Sequence, residues 1–427
     1  MKNTFQSFVF GCRVNEAERI RMDKQLIEAG YSVDLASPAF LIINSCAITG
    51  KAEREAKQLI YQLRRKHPEA KIVLTGCSAT VWNKYKTDDA RLVDILVPND
   101  KKSSLISLLH TPGVCKAESG PTGEGIINDK FRSSNRLLVK IQDGCHRFCS
   151  YCIVPYLRGV PQSQRIADIV SYINSFTTIP SEVVLCAINT EAFGKDTDES
   201  LENLIQEVLQ GTQVPRIAFG SIHPWSLTDS FLSYYQTKLS KEKRFVHFFH
   251  VPIQSGSQTV LGYMKREYQI NTVITQLRKI KKYNPNALVA TDVIVGFLGE
   301  TDELFEETYS LLEKSPISRF HVFRFSNRAH TAAFYLKNQL KEPSMDIKKE
   351  RSKRFIELSN KKYHTFISSL VGTTSDALII AKKEDKVKVL LNNHVEGILP
   401  SKQCLPGEIA HVTIIAAKDG LVECKES

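Results

Sequence analysis

Three cysteines separated by long stretches of chain restrict the fold of the first hundred residues more than any other feature. Cys12, Cys46 and Cys77 are 34 and 31 residues apart, and each comes at or just past the C-terminal end of an apolar, strand-like run: SFVF, AFLIIN (39–44) and KIVLTG (71–76). Between these runs lie helical stretches, from Ala17 to Ala29 with Gly30 as its stop and from about Lys51 to Lys66. This βαβα rhythm predicts a parallel sheet with covering helices. In such a sheet the C-terminal strand ends share one edge, where ligand sites form, so distant thiols converge there. Three thiolates on that edge make a holder for an iron–sulfur cluster with one open iron. Buried cysteines that fall near strand ends by chance are the plainer alternative.

A second group, Cys145, Cys149 and Cys152, lies within the eight residues CHRFCSYC, directly after the strand-like run LLVKI and after Gly144. Three thiolates on one short loop ligate three irons of a cubane and leave the fourth open to a chelating cofactor. A zinc site completed by His146 competes with this reading. Zinc prefers closed tetrahedral ligation with a further cysteine pair, and no second pair lies near this loop.

With 427 residues the chain is long enough for two or three domains. The stretch TPGVCKAESGPTGEG (111–125) has a linker composition and marks the first boundary. From Leu137 the runs LLVKI, EVVLCAIN, RIAFGSI, FVHFFHVPI, ALVATDVIVGF and RFHVFRF alternate with helical stretches, as in a full or partial (β/α) barrel. A basic helical stretch follows at about 346–370, and then short β-rich runs (ALIIA, KVKVLL, AHVTIIAA) that suit a small β-barrel. No apolar run approaches the ~18–20 residues that span a bilayer, and MKNTFQSFVFGC lacks a secretory h-region. A cytoplasmic protein without membrane attachment is therefore expected. Ten cysteines are too sparse for a disulfide scaffold and point to ligation, catalysis or burial. The net charge of +11 favours a polyanionic partner. Arg64-Arg65-Lys66, the Lys/Arg-rich stretch 348–362, Lys386 and Lys388 are candidate RNA contacts, with a solvated surface as the commoner explanation. The tail from residue 373 is slightly acidic.

Motif by motif the chain resembles the radical-SAM methylthiotransferase family. GCxVNxxE around Cys12, NSCAIT around Cys46, LTGC at Cys77, CSYCIVPYLRG, EVVLCAIN, GSIHP, HVPIQSGS, TDVIVGF-x-GET and HVFRFS occur in family order over essentially the whole chain. The resemblance implies an α/β fold: an N-terminal parallel-sheet α/β domain (1–125), a central radical-SAM partial (β/α) barrel (131–365) and a C-terminal small all-β barrel of TRAM-like, RNA-binding type (366–427). It implies two 4Fe-4S clusters, one on Cys12, Cys46 and Cys77 and one on Cys145, Cys149 and Cys152, together with S-adenosyl-L-methionine. The central cluster would cleave S-adenosylmethionine to a 5′-deoxyadenosyl radical that takes a hydrogen from an unactivated carbon, while the N-terminal cluster holds the sulfur to be installed and methylated.

Tyr151 matches a position that packs near the adenine in this superfamily, or else shields the cluster. Asn189, Ser221, Gln254 and Asp292 lie near predicted strand ends facing the barrel mouth, as cofactor contacts or as caps and loop side chains. Cys186 sits in an apolar strand and reads as core. Gly11-Cys12-Arg13-Val14-Asn15 looks most like the subgroup acting on N6-threonylcarbamoyladenosine beside the tRNA anticodon. Methylthiolation of N6-isopentenyladenosine or of a ribosomal-protein aspartate are the alternatives. The implied partners are tRNA at its anticodon region, a low-potential electron donor and a sulfur source. The chain departs from the family pattern at Pro161, Ser163 and Gln164, at Cys186-Ala187, at His223 and at Leu298, so a diverged enzyme with other chemistry also stays open. A zinc-bearing, non-catalytic RNA-binding protein is the rival from another class.

Overall fold

The computed structural model describes residues 3–48, 50–109 and 134–427; the linker stretch 111–125, with Cys115, lies outside the described residues. Near the N-terminus five parallel strands line up in the order Ser32–Val33, Thr4–Val9, Phe40–Ser45, Lys71–Gly76 and Ile95–Val97. Phe40–Ser45 is buried along its whole length because the sheet is covered on both faces, as a parallel sheet requires. Alternate residues feed alternate sides. Phe40 and Ile42 pack with Met22 and Leu26 of helix Arg13–Glu28. Leu41 and Ile43 pack with Ile60 and Leu63 of Gly50–Lys66 and Trp82 of Cys77–Lys84. The strand order reverses between Thr4–Val9 and Phe40–Ser45, which opens a crevice at their C-terminal ends.

In the central region Arg136–Asp143, Glu182–Ala187 and Ile217–Phe219 form one parallel set, edged by the antiparallel Gln162–Ser163. Phe248–His250, Leu288–Val295 and Arg319–Arg324 form a second parallel set. The Ile217–Phe245 bridge and the Ile222 N–H to His250 carbonyl bond of 2.8 Å join the sets. The result is a curved, partial barrel of βα units. Helix Met345–Ser368 lies on its last strand, where the Phe320 N–H donates to Ser359 Oγ at 2.8 Å. That helix spans residue 365. Five strands from Thr374–Lys383 to Leu421–Glu426 then close a small barrel. The α/β class expected from the sequence is the one observed. No helix among the described residues is long and apolar enough to cross a membrane.

Several residues of the stretches read as RNA faces are engaged within the protein. Lys348 is 2% exposed and donates to the Phe325 carbonyl at 3.1 Å. Arg351 pairs with Glu300 and Asp302, Arg354 with Glu306, and Lys362 donates to the Glu313 and Ser315 carbonyls. Arg64 is held by Asp94 at 2.8 Å, and in the small barrel Lys388 by Glu396 at 3.0 Å. Lys348, Arg351, Arg354 and Lys362 thus fasten the long helix to the barrel, while the exposed Lys349 and Lys353 pair within the helix itself.

The small barrel docks on the central domain through a buried carboxylate. Glu182, with no exposed surface, accepts from Arg216 Nε at 3.0 Å and Arg136 Nη2 at 2.6 Å, and pairs with His394 Nε2 at 3.1 Å. Arg216 Nη2 continues to the Leu391 carbonyl at 2.9 Å. Replacing Glu182 with alanine leaves Arg216 buried without its counter-charge. Unfolding free energy in a urea titration is expected to fall by about 3–5 kcal/mol; a change under about 1 kcal/mol would show that the contact does not hold the barrel in place.

Candidate active site

One cavity of about 670 Å³ opens at the C-terminal ends of the central strands, and the N-terminal domain forms part of its wall. It is lined by Cys145, Cys149, Tyr151, Cys152, Asn189, Ser221, Gln254 and Asp292, and also by Cys12 from across the domain boundary. Cys46 and Cys77 stand behind Cys12, 4% and 2% exposed, and do not reach the cavity wall. Every residue singled out from the central sequence motifs therefore meets in one place, and the N-terminal trio touches it through a single member.

Within each trio the thiols are close enough to act on one another electrostatically. The backbone that presents them is unusual in the same way three times. Gly11, Gly76 and Gly144 each precede a cysteine and have φ of +97°, +91° and +72°. A Cβ on Gly11 would sit 2.7 Å from Cys46 Sγ, and one on Gly144 would sit 2.1 Å from the Val160 carbonyl oxygen. Only glycine fits these turns, which aim each following thiol off its strand end. Amides already face the sulfurs: Ile48 N–H to Cys46 Sγ at 3.5 Å, Arg147 N–H to Cys145 Sγ at 3.5 Å, and Asn99 Nδ2 to Cys77 Sγ at 3.9 Å.

Burial pushes the Cys46 and Cys152 thiols up to about 12 and also raises Cys12 and Cys145. They are protonated until a metal displaces the proton. Among the described residues no three His, Cys, Asp or Glu side chains close on a single ion. Both donor sets are all thiol, which suits a cubane that leaves one iron open.

The remaining wall is polar and aromatic. His250 Nε2 meets Asp292 Oδ1 at 2.9 Å, and its Nδ1 lies 3.1 Å from Ser221 Oγ, giving a continuous Ser–His–Asp hydrogen-bond chain. Gln254 takes φ +70°, and its backbone pairs with Asp292 and Ile294. Asn189 has no exposed surface and caps the short turn Thr190–Ala192 through the Glu191 N–H. Its carboxamide thus has a structural role as well as a place on the wall.

Arg266 donates to Tyr151 Oη at 3.1 Å and to the Pro252 carbonyl at 2.7 Å, with Nη1 3.8 Å from Cys149 Sγ. Its guanidinium also lies over the Trp225 ring, as does that of Arg147. His223, at a position where the motif departs from its usual form, is pushed down to about 3, first by burial and then by Arg266, and meets Thr190 Oγ1 and N–H at 3.3 Å. It is a neutral wall residue. Ser163, another departure, ties its loop to Asp196 and Gly194. Cys186 is 2% exposed within its strand, and its thiol forms part of the cavity wall.

Sequence reasoning passed over Arg266, Arg147, Trp225 and His250. Arg266 follows a lysine and precedes a glutamate in MKRE, which looks like solvated surface; only tertiary contact sets it beside Cys149. Gly144→Ala tests the glycine geometry. The left-handed turn alone costs an alanine about 1–2 kcal/mol, and the Val160 clash adds to it, so denaturation of the metal-free protein should show at least that loss. Unchanged stability would mean that the loop relaxes freely.

Two family models match the chain: the radical SAM superfamily over residues 139–312 and uncharacterized protein family UPF0004 over residues 4–98. Among curated proteins, the threonylcarbamoyladenosine tRNA methylthiotransferase MtaB of Aquifex aeolicus is 32% identical over 409 residues, 93% of this chain and 96% of that one. The protein of the same name from Chlamydia pneumoniae is 33% identical over 89% of this chain and 87% of its own length. The tRNA-2-methylthio-N(6)-dimethylallyladenosine synthase of Clostridium perfringens is 28% identical over 98% of this chain and 96% of its own length. With both domain models matched in order, thiols from both domains around one cavity, and a third of its residues shared with full-length relatives, the chain belongs to the radical-SAM methylthiotransferase family.

Proposed function

We propose that the protein is a tRNA methylthiotransferase that installs sulfur and a methyl group at C2 of N6-threonylcarbamoyladenosine beside the anticodon. The observation that carries this reading is the shared cavity: Cys12 of one thiol trio and all three thiols of the other line the same chamber. A reaction that needs both a radical source and a sulfur donor at one carbon requires that arrangement. The MtaB relatives, at 32% and 33% identity, favour the threonylcarbamoyl substrate over the dimethylallyl one.

A radical-SAM protein carries S-adenosylmethionine and a 4Fe-4S cluster, which Cys145, Cys149 and Cys152 would hold. In this reading Cys12, Cys46 and Cys77 hold a second cluster. When bound, the clusters supply low-potential electrons and a transferable sulfur. The protein's own groups position and shield. The buried Arg266, bonded to the half-buried Tyr151, covers the Cys149 face of the cavity. Asn189, Ser221, Gln254 and Asp292 offer donors and acceptors to the cofactor. Trp225, with the guanidiniums of Arg147 and Arg266 over its ring, anchors both arginines on the cavity wall.

Tyr156 and Phe148, 38% and 47% exposed and edge-to-face at 5.6 Å, lie on the cysteine loop and the short helix after it, and Tyr85 stacks on His330 at 3.6 Å. The exposed rings of Tyr156 and Phe148 suit the unpaired bases of an anticodon loop. In this reading residues 1–125 and 131–365 form the catalytic body and 366–427 assist RNA binding. The setting is cytoplasmic, with a low-potential electron donor and a sulfur source supplied by the cell.

Nucleoside mass spectrometry of tRNA from a host lacking its own methylthiotransferases and expressing this chain should reveal 2-methylthio-N6-threonylcarbamoyladenosine. A methylthio-isopentenyladenosine product would shift the substrate, and no product from iron-loaded protein would remove the activity. The separate trios make a second prediction. Alanine at Cys145, Cys149 or Cys152 should abolish reductive cleavage of S-adenosylmethionine and halve the bound iron. Alanine at Cys12, Cys46 or Cys77 should also halve the iron while leaving cleavage intact. Full iron content in both sets of variants would contradict the assignment of two sites.

A further inference from the structure

Arg13 is the first residue of helix Arg13–Glu28 and belongs to the N-terminal domain, yet its side chain extends into the mouth of the central barrel. Its Nη1 donates to the Gly220 carbonyl at 2.5 Å, just past strand Ile217–Phe219. A Cβ at Gly220 would press on Cys186 Sγ at 3.2 Å and stand at ordinary contact distance, 3.5 Å, from Arg13 Cδ, so the Arg13 stem packs directly against this strand end. One bond therefore holds the guanidinium on the wall between Cys12 and the strand ends that carry Ser221 and Cys186.

The cavity has three arginines and one acid on its walls, Arg13, Arg147, Arg266 and Asp292. Arg147 pairs with Glu191 and Glu267 and covers Trp225. Arg266 is used by Tyr151, Tyr268 and the Pro252 carbonyl. Asp292 is bound to His250. Arg13 differs from the other two cations: it lines the cavity, it is exposed, and its contact with Gly220 occupies one nitrogen of a five-donor fork. A guanidinium with its remaining edge open matches a carboxylate in bidentate geometry.

We infer that Arg13 forms a carboxylate subsite of the active cavity and recognises the carboxylate of the threonylcarbamoyl group on the substrate base. The inference rests on the proposed substrate. An adenosine whose N6 substituent is a neutral hydrocarbon presents nothing to this guanidinium, so Arg13 acts as a specificity-determining residue. A second molecule in the cavity, S-adenosylmethionine, also carries a carboxylate. The chemistry of the subsite is the same for both, and position favours the base: Arg13 follows Cys12, on the wall formed by the N-terminal domain, whereas Cys145, Cys149 and Cys152 are on the wall that would hold the cofactor.

The test uses anaerobically reconstituted holoenzyme and fluorescein-labelled anticodon stem-loops with N6-threonylcarbamoyladenosine, its neutral carboxamide analogue, or N6-isopentenyladenosine. Anisotropy titrations of the wild type should show about tenfold tighter binding of the carboxylate RNA than of the carboxamide. Arg13→Gln should bind the two equally, and Arg13→Lys should keep part of the preference. Iron content and the absorption spectrum of each variant establish that it is loaded. A preference retained in R13Q overturns the subsite. S-adenosylmethionine affinity, measured on the same R13Q holoenzyme, separates the two carboxylates: an unchanged value leaves the base as the ligand, and a tenfold loss assigns the subsite to the cofactor and overturns the inference. Wild-type enzyme that methylthiolates the threonylcarbamoyl RNA without preferring its carboxylate overturns the role of Arg13 alone. Wild-type enzyme that modifies the isopentenyl RNA instead overturns the proposed substrate and the subsite together.

Discussion

Arg158 is the point on which the two catalytic domains are hung together. Its side chain is 1% exposed; Nη1 donates to Glu18 at 2.9 Å and Asp143 at 2.8 Å, and Nη2 donates to Asn15 Oδ1 at 2.6 Å. Glu18 and Asn15 belong to helix Arg13–Glu28 of the N-terminal domain, and Asp143 ends the first strand of the barrel. Lys140 and Lys102 complete the network around Glu18. Burial alone would raise the Glu18 carboxyl, but Lys102, Arg158 and Lys140 overcome it and hold the group well below the usual carboxylate range. In a low-dielectric interface such a network is worth little as bulk stabilisation and much as a constraint, because any displaced arrangement leaves a charge unpaired.

That constraint reaches the thiols directly. Asn15 has no exposed surface, and besides accepting from Arg158 it donates to the Phe10 carbonyl at 2.9 Å and the Ser45 carbonyl at 3.1 Å. Its backbone carbonyl accepts from Asn44 Nδ2 at 2.7 Å. One carboxamide thus ties the turn leading to Cys12 and the turn leading to Cys46 to the guanidinium that spans the domain boundary. On the other flank Asn99 Nδ2 reaches both Cys77 Sγ at 3.9 Å and the Leu157 carbonyl at 3.1 Å, one residue before Arg158. The N-terminal trio is therefore set against the barrel by polar bonds on two sides, and Cys12 comes to the cavity wall as a consequence.

Four of the departures from the family pattern have a clear structural place. His223 is neutral and pairs with Thr190, Ser163 holds a surface loop, and Leu298 is fully buried. None of them disturbs either thiol trio. Cys186 does change the wall, since it sets a buried thiol beside Gly220 and the Arg13 side chain.

Much of the fold was legible because it rests on local periodicity. The apolar AFLIIN run and the cysteines at strand ends announce a parallel sheet with a ligand edge, and CHRFCSYC announces a three-thiol loop; these are properties of short segments. The sequence by itself determined the two thiol trios, the α/β architecture and the barrel-mouth positions of Asn189, Ser221, Gln254 and Asp292. It did not distinguish among its many arginines, because charge pairing is decided by partners far along the chain. Arg351 and Arg354, which read as a cationic face, are paired with Glu300, Asp302 and Glu306, whereas Arg13 and Arg158, legible only as parts of motifs, and Arg266, inconspicuous in MKRE, are drawn into the interface and the cavity. Only the tertiary structure decided which guanidiniums are neutralised and which is left facing the cavity, since that depends on which carboxylates and carbonyls folding brings within hydrogen-bond reach.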